Sequence, residues 1–544
     1  MKIGCLQLNA AIGAFDANIK KTFDAYQRAV RMGADIVAAP ELFISGYPPR
    51  DLLHRRDFIQ ANMRALDKLA QHIGEIPLII GTLAPSEKRP GKPLFNSAAI
   101  LLNGGIHRLI NKSLLPFYDV FDETRYFEPA EDEPFIFAHR GARIGVTICE
   151  DIWNDEDFWP ERLYRRDPVK NLVAQGVNVL INIAASPWHL GKERLRQQML
   201  SRIARDEKIS VIQINTVGGN DELLFDGQSM AFNTRGELIF LGNAFGEDVA
   251  VIDLQSAPII PQPTEEPAQL FYALAMGVRD YVHKCGFSKV ALGLSGGIDS
   301  SLVAAIAVEA LGPDNVLGVA MPSDYSSPAS LTDAESLARV LEIEFQIVPI
   351  QENFEHILRT LLPTFGKAAW DTTEENIQSR LRGLLLMAIS NKTERLVLTT
   401  GNKSELAVGY CTLYGDMCGS LAVIGDVLKT QIYRIAEWLN KKTTIIPPNA
   451  IARPPSAELR PNQTDQDTLP PYAALDDIIR AYVVEEKTLE EILALGHDEK
   501  TVRDILRKIT SSEFKRRQAP PTLKITPKAF GTGRRQPIAQ RFES

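Results

Sequence analysis

Between Ala257 and Pro267 the chain reads Ala-Pro-Ile-Ile-Pro-Gln-Pro-Thr-Glu-Glu-Pro, four prolines in eleven residues with neither a helical nor a strand period. Proline fixes its own φ and has no amide donor, so such a run forms a semi-rigid connector and not part of a core. A chain of 544 residues is also too long for one ordinary hydrophobic core. The break therefore sets the organisation: a domain over 1–256, a linker over 257–268 and a second domain over 269–544.

Before the break, strand-like apolar runs alternate with amphipathic helical ones. Strands are expected at Lys2–Leu8, Ile36–Ala39, Leu78–Leu83, Ala98–Leu102, Arg143–Cys149, Val177–Ile183 and Ser210–Asn215. Hairpin-like strands over 229–233 and 238–241 follow. Between the first two strands, Ile19, Phe23, Tyr26 and Val30 recur at helical spacing, with Asp16 as N-cap and Gly33 as the stop. This is an α/β domain with a mixed sheet. After the break, a helix over Gln269–Cys285 leads into strands Val290–Leu294, Val316–Ala320, Phe345–Val348 and Leu396–Thr399, separated by helices. Regular alternation with buried-type strands predicts a doubly wound parallel sheet, whose ligands bind beyond the carboxyl ends of the strands.

Charge and cysteine usage narrow the function classes. The formal net charge is -8 with both signs mixed along the chain, which argues against a nucleic-acid surface. No apolar run reaches the roughly 18 residues of a bilayer span, and the N-terminus does not read as a signal peptide. Cys5, Cys149, Cys285, Cys411 and Cys418 form no CxxC pair, which fits free thiols and a cytoplasmic location. One basic cluster, Lys515, Arg516, Arg517, Lys524, Lys528, Arg534 and Arg535, reads either as a solvated tail or as a phosphate-handling segment.

In the second domain, Ser295-Gly-Gly-Ile-Asp-Ser-Ser301 follows a strand and opens a helix. Paired glycines let the backbone approach a ligand, and the helix start offers free N–H groups to an anion. Asp299 is out of place against phosphate unless Mg²⁺ lies between them. No Walker A or GxGxxG pattern is present. Gly293-Leu-Ser-Gly-Gly297 also fits a GxSxG nucleophile elbow, which demands a downstream histidine, and only His356 and His497 follow.

The heptapeptide resembles the PP-loop of N-type ATP pyrophosphatases. The resemblance implies ATP contacts at Gly293, Leu294, Ser295, Gly296, Gly297, Ile298, Asp299, Ser300 and Ser301. Three further runs, Glu374-Glu-Asn-Ile-Gln-Ser-Arg-Leu-Arg382, Thr399-Thr-Gly-Asn-Lys-Ser-Glu405 and Ser456–Asp465, look like NAD synthetases over 270–544. Asn376, Arg380 and Lys403 are polar candidates within them. That likeness implies Thr400 on ATP, with Asn376, Glu405 and Lys515 on deamido-NAD. Asp299 and Glu405 become the magnesium candidates.

In the first domain, Pro40-Glu-Leu-Phe43, Asn111-Lys-Ser-Leu-Leu-Pro116 and Ile148-Cys-Glu-Asp-Ile-Trp153 each follow a strand-like run. Singly, each reads as ordinary: a buried thiol, a solvated charge. In this order they resemble the Glu–Lys–Cys triad of the nitrilase superfamily, whose fold is an αββα sandwich. The resemblance implies Cys149 as nucleophile, Glu41 as general base and Lys112 as oxyanion partner. It further implies Glu123 as the accessory glutamate, with Tyr118, Ser186 and Lys192 beside a bound glutamine. The run Gly46-Tyr-Pro-Pro-Arg-Asp-Leu-Leu53 favours the synthetase-linked branch of these amidases.

Joined, the two resemblances imply glutamine hydrolysis at Cys149 and internal transfer of ammonia. ATP then adenylates deamido-NAD, ammonia displaces AMP, and the protein is a homo-oligomer. Two other readings compete: a PP-loop nucleotide- or tRNA-modifying enzyme, and an inactive nitrilase-fold scaffold.

Overall fold

The computed structural model describes residues 1–542 apart from 89, 133, 156, 157, 160 and 367. Its contacts divide the chain into two compact units, Met1–Pro263 and Thr264–Ser544. The helix after the proline-rich stretch runs Glu266–Lys284, so it starts three residues earlier than its sequence period suggests. Pro267 sits in its first turn, where the missing amide has no helical partner to lose.

Two six-stranded sheets face each other in the first unit. One is ordered Asp248–Asp253, Lys2–Gln7, Ile36–Ala38, Leu78–Pro85, Leu94–Leu102, Gly105–Asn111. The other is ordered Leu238–Leu241, Met230–Phe232, Ser210–Asn215, Val179–Ala184, Ala142–Ile148, Ile136–His139. Each has a parallel centre and antiparallel margins. Strand side chains alternate between faces, and one face of each sheet supplies the shared core of Ile3, Ile36, Ile79, Ile100, Ile144, Ile148, Ile181, Ile183, Ile212 and Ile214. The outer faces are covered by Phe15–Arg31 and Arg56–Ala70 on one side and by Pro168–Ala174 and Lys192–Glu207 on the other. This is the αββα sandwich.

Two local expectations need correction. Ala14, not Asp16, precedes the first helix, and Asp16 sits in its first turn bonded to Lys68 at 2.8 Å. A carboxylate there still favours the positive helix end. The strand expected at Ala98–Leu102 begins four residues earlier, at Leu94.

Five parallel strands form the sheet of the second unit, in the order Glu344–Ile347, Val316–Ala320, Val290–Gly293, Leu396–Thr399, Leu421–Ala422. Strand Val290–Gly293 has its successor on one side and Leu396–Thr399 on the other. That is a switch in strand order, where the connections leave in opposite directions and open a crevice. Both glycine-containing runs of the sequence, 295–301 and 399–405, leave the sheet at this switch.

Candidate active sites

The first site lies where strands of the sandwich end. Glu41 follows Ile36–Ala38, Lys112 follows Gly105–Asn111 and Cys149 follows Ala142–Ile148. All three are buried. Lys112 Nζ donates to Glu41 Oε1 at 2.7 Å and to both oxygens of Glu123 at 3.0 and 2.9 Å. Asn96, opposite Lys112 across the strand pair, donates to Glu41 Oε1 at 2.8 Å and to Glu123 Oε2 at 3.4 Å. The second Glu41 oxygen accepts from the amide of Ala185 at 2.9 Å. Tyr47 Oη donates to Glu123 at 3.0 Å. One ammonium between two carboxylates makes a cluster that survives burial because every charge has a partner.

Backbone detail holds these groups in place. A Cβ on Gly81 would stand 2.1 Å from the Leu42 nitrogen and 2.5 Å from Glu41 Cα, so only glycine lets the Glu41 turn lie against the strand Leu78–Pro85. Cys149 has φ +42°, a left-handed conformation that costs free energy for a residue with a Cβ. Its carbonyl accepts from Asn182 at 3.4 Å. Asp151 binds the amides of Ser113 and Leu114 at 3.0 and 2.8 Å and that of Ile148 at 3.0 Å, fastening the Lys112 loop to the Cys149 turn.

Electrostatics divide the roles. Burial and then the Glu41 charge hold the Cys149 thiol well above its usual range, with Lys112 pulling the other way. Cys149 is therefore held as a thiol, and a reaction at its sulfur would need a base beside it. Burial alone would lower the Lys112 ammonium, but Glu123 and Glu41 outweigh it and keep it cationic. Burial pushes Glu123 up to about 7, with Lys112 opposing and Glu41 reinforcing.

Beside this cluster is a carboxylate to which sequence reasoning gave no role. Glu150 is buried and accepts from Tyr118 Oη at 3.0 and 3.1 Å and from Tyr164 Oη at 3.0 Å. Burial raises its pKa, while Lys112, the two hydroxyls and Lys192 oppose. Lys192 opens the helix Lys192–Glu207 and lies 4.2 Å over the ring of Trp153. Ser186 is buried, its amide donating to Asn215 Oδ1 at 3.0 Å. Tyr118 thus bonds Glu150, whose carboxylate also feels the Lys192 charge, and Glu123 belongs with Glu41 and Lys112. The only sequence sign of Glu150 was a charge directly after the cysteine.

The second site surrounds the loop after Val290–Gly293. Leu294 is buried and its amide still joins the sheet, donating to the Val319 carbonyl at 2.9 Å. Gly296 has φ +80°, and a Cβ there would lie 2.0 Å from the Ser330 carbonyl. The helix Ile298–Leu311 starts at Gly297 with no side chain capping it, which leaves its first amides for an anion. Ser295 and Ser300 Oγ are 3.1 Å apart, and Ser301 Oγ bonds the Gly297 carbonyl at 2.8 Å. No histidine is among the hydrogen-bond partners described for Ser295. His356 lies exposed on the helix Gln351–Phe365, and His497 pairs with Asp477 at 2.8 Å. The nucleophile-elbow reading fails on that geometry.

Thr400 directly follows the neighbouring strand, and Asn402, two residues on, ties the two runs together. Its amide nitrogen donates to Asp299 Oδ1 at 3.3 Å, and its Oδ1 accepts the Glu405 amide at 2.9 Å. Lys429, which no sequence motif singled out, bonds Asp299 and stands 3.9 Å from Glu405. Burial and then the Asp299 charge hold Glu405 well above its usual range, with Lys429 opposing. For Lys429 the two carboxylates overcome burial and raise its pKa. Two carboxylates around one cation form a hard-oxygen donor pair suited to Mg²⁺ completed by phosphate oxygens. Among the described residues no group of three or more His, Cys, Asp or Glu side chains forms a metal cage, so such an ion depends on its substrate for ligands.

Asn376, Glu405 and Lys515 converge on one segment. Asn376 accepts from Thr412 Oγ1 at 2.7 Å, and Lys515 Nζ donates to the carbonyls of Gly409 and Cys411 at 2.7 and 2.8 Å. Glu405 opens the same segment, since its carbonyl accepts the Tyr410 amide. Arg380 donates to the Leu413 carbonyl at 3.2 Å. Lys403 is different: fully buried, it bonds Asp426, Thr526 and the Lys528 carbonyl at 2.7, 2.8 and 2.9 Å. It clamps the C-terminal stretch, whose Ile525 and Thr526 amides both reach Asp426 at 2.7 Å.

Part of the basic cluster is tied into the fold, while Arg517 and Arg535 stay exposed. Arg516 is buried against the carbonyls of Leu406 and Ala407, Lys524 bonds the carbonyls of Thr526 and Pro527, and Arg534 pairs with Glu513 at 3.2 Å. These charges stitch the tail to the fold.

Comparison with known proteins covers the whole chain. Residues 2–263 match the carbon-nitrogen hydrolase family and residues 270–519 match NAD synthase. The chain is 48% identical to a glutamine-dependent NAD(+) synthetase of Synechocystis sp., over 99% of this chain and 99% of the relative. With the Thermotoga maritima protein of the same name it shares 43%, over 100% and 99%. The solved Acinetobacter baumannii glutamine-dependent NAD+ synthetase in complex with ADP superposes with a TM-score of 0.78 at 38% identity, covering 99% of this chain and 98% of that one.

Proposed function

The chain belongs to the glutamine-dependent NAD(+) synthetases, and from that premise we propose how its own residues divide the work of an ATP-consuming ligase that takes nitrogen from glutamine. The observation that carries the division is the first site: Glu41, Lys112 and Cys149, drawn from three separate runs, are buried together with every charge paired.

Cys149 attacks the side-chain amide carbon of glutamine while Glu41 takes the thiol proton. Lys112, held cationic by Glu41 and Glu123, stabilises the tetrahedral oxyanion. The carbon–nitrogen bond breaks as Glu41 returns the proton to leaving ammonia. Water, deprotonated by Glu41, then cleaves the thioester to glutamate. Glu150 receives the α-ammonium of glutamine, and Lys192 with Ser186 and Tyr118 completes the pocket for a zwitterion.

In the second unit, the Ser295–Ser301 loop, with Gly293, Leu294 and Thr400, holds the phosphates of ATP. Asn376, Glu405 and Lys515 hold deamido-NAD. The nicotinate carboxylate attacks the α-phosphorus, pyrophosphate leaves, and ammonia displaces AMP from the acyl adenylate to give NAD. Asp299 and Glu405 would hold Mg²⁺, which when bound offsets phosphate charge beside these carboxylates. Ammonia is handed on without mixing with bulk water, where protonation would remove its nucleophilic lone pair. Five free cysteines and the absence, among the described residues, of a helix long and apolar enough to cross a membrane support a cytoplasmic place of work. We read the working form as a homo-oligomer.

The test is NAD, AMP and pyrophosphate formation from ATP, Mg²⁺ and deamido-NAD, with glutamine or ammonium as nitrogen source. Cys149→Ala is expected to lose glutamine-supported synthesis by about 10⁴-fold or more and to keep ammonium-supported synthesis. Loss of both would overturn the division of labour.

A further inference from the structure

Strand Ser210–Asn215 carries two buried polar side chains, Gln213 and Asn215, on the face opposite the shared isoleucine core. Gln213 Nε2 donates to Asn182 Oδ1 at 3.1 Å, and Asn182 donates to the Cys149 carbonyl, so this line ends at the nucleophile. Asn215 starts a second line. Its Oδ1 accepts the Ser186 amide at 3.0 Å, and its Nδ2 donates to Asp226 Oδ1 at 3.2 Å and to the Gly227 carbonyl at 3.0 Å. Asp226 Oδ2 in turn accepts from Arg196 at 2.5 Å, both side chains being fully buried. Arg196 lies on the helix Lys192–Glu207, one turn beyond Lys192.

A fully buried ion pair is a weak source of stability, because desolvation consumes most of its Coulombic gain. Here Asp226 pays that cost visibly: burial raises its pKa, with Arg196 opposing. Arg196 also leaves Nε and Nη1 without a hydrogen-bond partner among the described residues. What such a pair does supply is fixed geometry, since two charged groups tolerate few alternative packings.

We propose that Asn215, Asp226 and Arg196 are positioning residues that set the shape of the glutamine pocket. They join the two elements that carry its recognition groups: the loop at Ser186 and the helix that begins at Lys192. None of the three touches the Glu41–Lys112–Glu123 cluster through a described hydrogen bond. The relay's described link toward the base is the backbone at Ala185, whose amide donates to Glu41 and which adjoins Ser186, so its first effect falls on how glutamine sits. The inference rests on the reading that Ser186 and Lys192 face glutamine.

Four variants of the full-length chain test it: Asn215→Ala, the paired replacement Arg196→Met with Asp226→Leu, Ser186→Ala and Lys192→Ala. The paired replacement removes both charges together, which commonly preserves folding where a single removal does not. KM and kcat are measured with glutamine and with ammonium, together with the rate of Cys149 alkylation by iodoacetamide. The expected result for the first two is a KM for glutamine raised about tenfold or more, with kcat changed by less than about threefold. Ammonium-supported synthesis and the alkylation rate stay unchanged. If Ser186→Ala and Lys192→Ala raise this KM while the relay variants leave it at the wild-type value, the relay is overturned and the pocket stands. If Ser186→Ala and Lys192→Ala leave it unchanged, the pocket reading itself falls. A relay variant that loses ammonium-supported synthesis as well acts as a general fold support, which also overturns the proposal.

Discussion

In the first unit the proposed reactive groups are closed off among themselves; in the second they keep part of their surface open. Lys112 and Glu41 have no exposed side-chain surface, and their hydrogen bonds run from protein to protein. At the other site, Asp299 and Glu405 side chains keep 19% and 18% of their surface, and the loop serines bond one another or the loop backbone. The difference follows from the chemistry. A thiol attack needs a base and a cation held at fixed distance in a dry place before substrate arrives. On the proposed function, ATP brings its own charge, and amides, hydroxyls and a carboxylate pair are what the protein would add to it.

After the loss expected for Cys149→Ala, the next largest effect falls on the second site. Asp299→Asn should reduce synthesis with both nitrogen sources by about 10²–10³-fold, because it removes one of the two carboxylates around Lys429. A loss confined to glutamine would break the contrast between the sites. Next comes Glu150→Gln, which should raise the KM for glutamine by about tenfold and leave ammonium-supported turnover alone. Equal kcat loss with both substrates would move Glu150 out of the recognition pocket.

The smallest effect is on stability. Glu123, raised from 4.5 to about 7, takes up a proton on folding between those values. Its contribution is fully present below about 4.5 and is lost as pH rises through 7. The melting temperature of the wild type, relative to Glu123→Gln, should therefore fall by about 2–4 °C between pH 5 and pH 8. Thermal unfolding at both pH values checks the sign, and a difference that stays the same between pH 5 and pH 8 would mean that Lys112 keeps Glu123 ionised throughout.

Groups set by a local pattern were legible in the sequence. Glu41, Lys112 and Cys149 each follow an apolar strand, and the loop at Ser295 sits between strand and helix; it was the resemblance of these short runs to known families that singled them out. Glu150 was not, because its environment comes from Tyr118 and Tyr164, 32 and 14 residues away along the chain. Lysines show the same limit twice. Lys403 lies inside a motif and looked like a ligand group, yet its partners are Asp426 and the tail; Lys429 lies in no motif quoted from the sequence and sits between the two carboxylates. A run of basic residues likewise says nothing about whether water or backbone carbonyls will receive its protons. Short strands at sheet margins, such as Asp248–Asp253, were missed because their pairing partner is the first strand of the chain.

The clamp at Lys403 also sets an order of events during synthesis. Asp426 and Lys403 are satisfied by Ile525, Thr526 and Lys528, and the amide of Ala422 by the carbonyl of Pro521. Until residues 521–528 have left the ribosome, these partners of Asp426, Lys403 and Ala422 are missing. The nascent chain can thus complete its ammonia-releasing half well before the half that consumes ammonia exists.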